Sequence, residues 1–421
     1  MWCMRGNMKM SIWPWTAGKD KGSKEAQGKH SSVPQREYRN VFAELGKSRD
    51  EIQAHLDEVV SHFFEGEERL FHLVEPDMAY IEDTGNLDVR TEGMSYGLMM
   101  CVQLDRKADF DRLWKWVKTY MYQPEGWQEG YFAWSCKTTG EKNDDGPASD
   151  GEEFFAMALF FASHRWGDGE GIFDYSREAK AILRACLHKG QDGRPGTPMW
   201  NLENHQILFV PGLQFTDPSY HVPVFYELFA KWADEEDTEF WAEAARVSRE
   251  FWLVACHPET GLCPEYSEFD GSPLRQSFSW MGNRHDWFSS DSYRTAANIG
   301  LDYEWAKTDV GQSEIIKRLL RFFGIQNKEK PYAVYETDGT PIEGTDYGPW
   351  VTGILATTAQ GVLALPGPLS SDSSEEVQRL AAEWVESFWE RPMGTGKWRY
   401  YGNCLHVLAF LALSGNYRIW E

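Results

Sequence analysis

From Ser48 to Leu413 the chain reads as one helix after another, about twelve in all, with no Pro/Ser-rich linker and no close internal repeat. The first opens at Ser48, with Glu51 three residues on in capping-box spacing. It then sets Ile52, Leu56, Val59, Val60 and Phe63 on one face. Ser149 and Glu152 repeat that spacing ahead of Phe154–Trp166. Further helical stretches run over 91–104, 106–121, 176–189, 219–232, 237–255, 290–306, 311–323, 350–364, 372–390 and 400–413. Strand signals are weak and confined to loops, such as Tyr332–Tyr335. So many helices without an interior break favour a single all-α toroid, an α/α barrel, over two separate bundles. In such a barrel alternate helices run parallel, and their N-termini gather at one end. The division expected is a flexible N-terminal tail over residues 1–36, of which 16–35 are rich in Lys, Gly and Ser, and one barrel domain over 37–421.

Three carboxylates sit at the mouths of such helices. Glu92 lies in Asp88-Val89-Arg90-Thr91-Glu92-Gly93-Met94-Ser95-Tyr96-Gly97, ahead of the core-like Leu98–Val102. Asp150 precedes Gly151–Leu159, and Asp291, in Phe288–Arg294, precedes Thr295–Ile299. Acids at helix starts are first of all caps and dipole partners. Their bulky polar neighbours Arg90, Tyr96, Tyr293 and Arg294 go beyond what a cap requires. Glycosidic bonds need an acid on the leaving oxygen and a base or nucleophile on the opposite face, and two carboxyls with split pKa values supply both. Met94, Met99 and Tyr96 offer Glu92 a partly apolar wall that would keep it protonated. Ser289, Ser290 and Ser292 are expected to hydrogen-bond the charged form of Asp291. The 20 Trp, 18 Tyr and 24 Phe are mostly packing anchors, but flat rings also suit the apolar faces of sugars.

Other chemistries find little support. A net charge of −23 repels phosphate backbones, so nucleic acid is not an expected partner. No segment is long and apolar enough to span a membrane. There is no CxxC and no HExxH, and neither a metal nor a cofactor is called for. Gly167–Gly171 lacks the Walker lysine, and Asn143–Asp145 reads as a polar loop. Seven scattered cysteines with mostly apolar neighbours read as free thiols of a reducing compartment. Met8–Trp15 is too short and too broken by Pro14 for an export signal, so the expectation is cytoplasmic, with secretion if the start lies elsewhere or export is unconventional. Oligomeric state leaves no mark in the sequence.

The segments Asp88–Gly97, Gly146–Ala158, Asp217–His221, Phe288–Asp302 and Arg399–Cys404 closely resemble glycoside hydrolase family 8 over about residues 37–421. The resemblance is greatest to its reducing-end xylose-releasing exo-oligoxylanases, with endo-xylanases as near relatives. It implies an (α/α)6 barrel and inverting hydrolysis of β-1,4 bonds in xylan, chitosan, cellulose or β-glucan. It further implies Glu92 as general acid, Asp291 as general base, Tyr220 as a holder of the attacking water, and Asp150 as binder of the distorted sugar. Trp134 and Trp200 would be sugar-stacking platforms, and Arg90, Tyr96, Arg294, Trp350 and Tyr401 further substrate-binding residues. An inverting pair stands roughly 6.5–9.5 Å apart and gives a bell-shaped pH–rate profile.

The family's exo enzymes carry a Leu-His-Pro segment that narrows one end of the cleft. Here Asp346–Thr352 has no His, and Trp350 stands about where it would be. The loop 268–287, with Phe278, Trp280, Met281, Arg284, His285 and Trp287, looks enlarged. These departures favour endo cleavage of xylan. The alternative is reducing-end exo release of xylose from xylo-oligosaccharides, which an absent export signal favours. A related β-1,4-glucanase or chitosanase would share the fold. A non-catalytic carbohydrate-binding barrel would need the aromatic groove but neither Glu92 nor Asp291.

Overall fold

A computed structural model describes residues 36–421, apart from 192, 194, 277, 279–283, 327–331 and 346–350. Tyr38–Glu421 is one unit, and its described residues hold thirteen α-helices. In chain order they begin with a single turn, α1 (Val41–Glu44), then α2 (Arg49–Phe64), α3 (Thr91–Gln103) and α4 (Lys107–Trp116). α5 (Ser149–Trp166), α6 (Tyr175–His188), α7 (Pro223–Trp232), α8 (Thr238–Ala255) and α9 (Arg294–Ala306) follow. α10 (Gln312–Gln326), α11 (Val351–Gly361), α12 (Glu376–Trp389) and α13 (Arg399–Leu413) complete the set.

The odd-numbered helices from α3 to α13 form an inner ring, each packed on the next, and α13 returns to α3 to close it. The even-numbered helices lie outside, each against an inner partner, so the architecture is an (α/α)6 barrel. The sequence dictates which helix goes where. α3 buries Gly93 through Gln103 without a break and α13 buries Tyr400 through Leu413, because both are apolar or small all round. α2 buries only Ile52, Leu56, Val59, Phe63 and Phe64, a single stripe.

Local expectations met mixed outcomes. At α2 the capping box forms: the Ser48 side chain accepts from the Glu51 amide, and Glu51 accepts from Ser48 N at 2.8 Å. At α5 it does not. Ala148 is the N-cap, and Ser149 donates instead to the Phe209 carbonyl. Glu152 turns inward to accept from Phe132 N at 3.0 Å, where burial pushes its pKa far up. Short strands arise where none was expected: β1 (Phe71–Val74) pairs with β2 (Met78–Ile81). β3 (Asp88–Arg90), β4 (Ser135–Lys137) and β5 (Lys142–Asp144) form a second small antiparallel sheet. The expected strand at Tyr332–Tyr335 is reduced to isolated bridges from Tyr335 to Phe288 and Pro341. No described helix is long and apolar enough to cross a membrane. The six described cysteines are all buried and free, while Cys3 lies outside the described residues.

Candidate active site

Because the inner helices that carry the candidate residues start at the same end, their first turns converge. β3 runs directly into α3, which makes Glu92 its second residue. Asp150 is the second residue of α5, and Tyr400 and Tyr401 are the second and third of α13. Asp291 sits in a 3-10 turn, Ser290–Tyr293, that leads into α9. Tyr220 ends a similar turn, Pro218–Tyr220, ahead of α7. Helix N-termini favour negative charge, so this end of the barrel suits a cluster of acids.

Arg294 is the hub. Its Nη1 donates to Glu92 Oε2 at 3.2 Å, Asp150 Oδ2 at 3.0 Å and the Tyr96 hydroxyl at 3.0 Å. Its Nη2 lies 3.2 Å from Asp291 Oδ1 and 4.0 Å from Asp217 Oδ2. One guanidinium thus holds Glu92 and Asp291 on different nitrogens. Four carboxyls crowd this single cation, and burial disfavours their charged forms. Desolvation raises Glu92 to about 7 against the pull of Arg294, with Asp291 and Asp150 adding to the rise. Desolvation raises Asp291 to about 6, again opposed by Arg294. Asp150 is raised, and Asp217 stands well above the usual range, both through burial. Glu92 keeps 16% of its side chain exposed and Asp291 26%, so both remain reachable.

Two cavities meet at this pair. The larger, of about 650 Å³, is lined by Trp134, Asp150, Phe209, Tyr220, Tyr266 and Arg294 among others. The smaller, of about 120 Å³, is lined by Asp83, Asn86, Ser290, Trp398, Tyr400 and Tyr401. Arg90, Glu92 and Asp291 border both. Arg90 is pinned by Asp83 and Asp88 at 3.1 Å each and stacks 5.3 Å over Trp134. Tyr220 faces Asp150 and lies under the Arg294 guanidinium, 5.4 Å from it.

Several expectations need correction. Trp200 is 1% exposed and packs edge-on against Trp241 and Tyr226, so it is core and not a cleft platform. Tyr96 is buried behind Arg294 and borders neither cavity. The serines around Asp291 do not hydrogen-bond its carboxyl. Ser290 donates to Glu265, and Ser292 donates to the Ser289 carbonyl. Without those bonds, burial raises Asp291. Trp350 lies outside the described residues, as do Trp280 and Met281.

Other residues at the site went unsingled in the sequence. Tyr400 donates to Glu92 Oε1 at 2.9 Å, and it can approach only because residue 93 is glycine: a Cβ there would fall 2.6 Å from the Tyr400 oxygen. The Tyr400-Tyr401 pair was visible as part of a motif, but no spacing rule links it to a residue 308 positions away. Trp398, 48% exposed, lies on the small cavity in the same segment.

A family model described as Glycosyl hydrolases family 8 matches residues 78–413. A reducing end xylose-releasing exo-oligoxylanase of Halalkalibacterium halodurans is 51% identical over 389 residues, covering 91% of this chain and 95% of that protein. Its counterpart from Paenibacillus barcinonensis is 48% identical over 389 residues, covering 91% and 97%. A solved structure of the Paenibacillus barcinonensis protein complexed with xylose matches with a TM-score of 0.85 at 46% identity, covering 91% of this chain and 98% of that one.

Proposed function

This chain belongs to glycosyl hydrolases family 8, and from that premise we propose that it is an inverting exo-oligoxylanase releasing xylose from the reducing end of xylo-oligosaccharides. The observation that carries the reading is the unequal pair of cavities on either side of Glu92 and Asp291. The sugar that undergoes substitution sits beside Asp150, in the larger cavity, with the rest of the chain over Trp134 and Tyr266. The leaving sugar occupies the small cavity among Tyr400, Tyr401 and Trp398. In a β-1,4 chain the leaving side is the reducing-end side, so a small leaving-side cavity suits release of a single terminal sugar. The names of both similar enzymes support the same mode. The lean toward endo cleavage rested on residues 346–350 and on the loop 268–287, whose segment 279–283 is not described, and it yields to these observations.

In this reading Glu92, protonated up to about 7, donates its proton to the glycosidic oxygen. Asp291 takes a proton from a water held with Tyr220, and that water attacks the anomeric carbon from the opposite face. Asp150 binds hydroxyls of the distorted ring, and Arg294 keeps the carboxyls in place. The substrate is a neutral xylo-oligosaccharide, and neither metal nor cofactor enters any step.

Glu92→Gln and Asp291→Asn should each lower kcat on unactivated xylotriose by about 10²–10⁴-fold. The newly formed reducing end should appear first as the α anomer by NMR. A β anomer at the earliest time points, or a Glu92→Gln enzyme of nearly full activity, would overturn the assignment.

A further inference from the structure

The turn that carries Asp291 is itself held by a second acid from another loop. Glu265 Oε1 accepts from the Ser290 hydroxyl, and the Asp291 amide points at the same oxygen from 3.5 Å. The other oxygen, Oε2, accepts from Nδ1 of His285 at 2.5 Å. Two backbone hydrogen bonds fix this arrangement: Glu265 N to the Trp287 carbonyl and Tyr266 N to the His285 carbonyl, each 2.8 Å. The His285 ring also stacks on Tyr266 at 4.4 Å, nearly parallel, and Tyr266 forms part of the large cavity's wall. Glu265 keeps only 7% of its side chain exposed. A carboxylate and an imidazole so close and so little solvated act strongly on a third ionisable group beside them.

We propose that Glu265 and His285 are a positioning pair that fixes the orientation of the Asp291 turn and sets the pH at which Asp291 becomes a base. The inference rests on Asp291 being the general base. Glu265 disfavours a second negative charge at Asp291, and His285, when protonated, favours it. The other groups facing Asp291 are Tyr293 on its own turn, Arg294 at the start of α9, Glu92 on α3, Asp150 on α5, Asp217 and Tyr220 at the turn ahead of α7, Tyr266 beside Glu265, and Tyr401 on α13. Glu265→Gln keeps the shape of the side chain and changes only its charge, whereas His285→Gln also removes the ring stacked on Tyr266.

The test is the pH dependence of kcat/KM on xylotriose for Glu265→Gln and His285→Gln, beside Asp291→Asn. Glu265→Gln should move the acid limb down by about one pH unit, since it removes a neighbouring negative charge. His285→Gln should move that limb up. A lower rate with an unmoved acid limb in both variants would overturn the proposal and leave a structural role only. If Glu265→Gln fails to fold, the His285→Gln limb decides alone. An Asp291→Asn enzyme of nearly full activity would sink the base assignment, an outcome distinct from a still limb with an inactive Asp291→Asn.

Discussion

At Glu92 one carboxyl accepts from two partners, one on each oxygen. Arg294 and Tyr400 both favour its charged form, and desolvation outweighs them. Asp291 is faced by Arg294 too, and its folded value of about 6 lies below the value of about 7 at Glu92. A protonated Glu92 beside an ionised Asp291 is thus most populated between those values. Activity should rise as pH passes about 6 and fall as it passes about 7, read from kcat/KM on xylotriose. Tyr400→Phe removes a donor to Glu92, so the neutral acid becomes easier to keep. Its alkaline limb should move up by about one pH unit while the acid limb stays. An alkaline limb that falls would show that Tyr400 acts otherwise. Glu92, Asp150 and Asp291 were legible in sequence because each opens an apolar helix. Glu265 and Tyr400 were not, since nothing local to them predicts contact with residues 26 and 308 positions away. Trp200 misled for a related reason: a Trp in a loop looks alike whether it faces the cleft or Trp241.

At the scale of elements, two inner helices approach so closely that glycine is obligatory. Gly300 of α9 faces the backbone carbonyl of Gln360 on α11, and a Cβ there would collide with that oxygen. Gln360 also donates to the Ala297 carbonyl at 3.1 Å, which locks the pair. Gly300→Ala should therefore cost about 1–3 kcal/mol of stability, measured as a loss in denaturant midpoint with an unchanged slope. An unchanged midpoint would mean that the two helices sit further apart. Helix existence was readable from the sequence, because inner helices such as α3 and α13 are apolar or small all round and outer ones such as α2 carry stripes. Helix starts were less so. Ser149 and Glu152 have capping-box spacing, yet the buried Phe132 amide competes for the Glu152 carboxyl and wins. The β1–β2 hairpin escaped because two four-residue strands carry too few alternations to register as a period.

For the whole molecule, the twelve helices from α2 to α13 form a closed double ring, and α13 against α3 is the contact that closes it. Closure brings the openings of α3, α5, α9 and α13 to one end, and with them the acids that the sequence scatters from residue 92 to residue 291. The mode of action is set at this scale as well, by how much room lies on each side of the reacting bond, and no single motif encodes that. The decisive measurement is a time course on reducing-end-labelled xylohexaose with all products resolved. Labelled xylose and unlabelled xylopentaose, in equal amounts from the earliest points, are the predicted result. An early spread of xylobiose, xylotriose and xylotetraose would contradict it and establish endo cleavage.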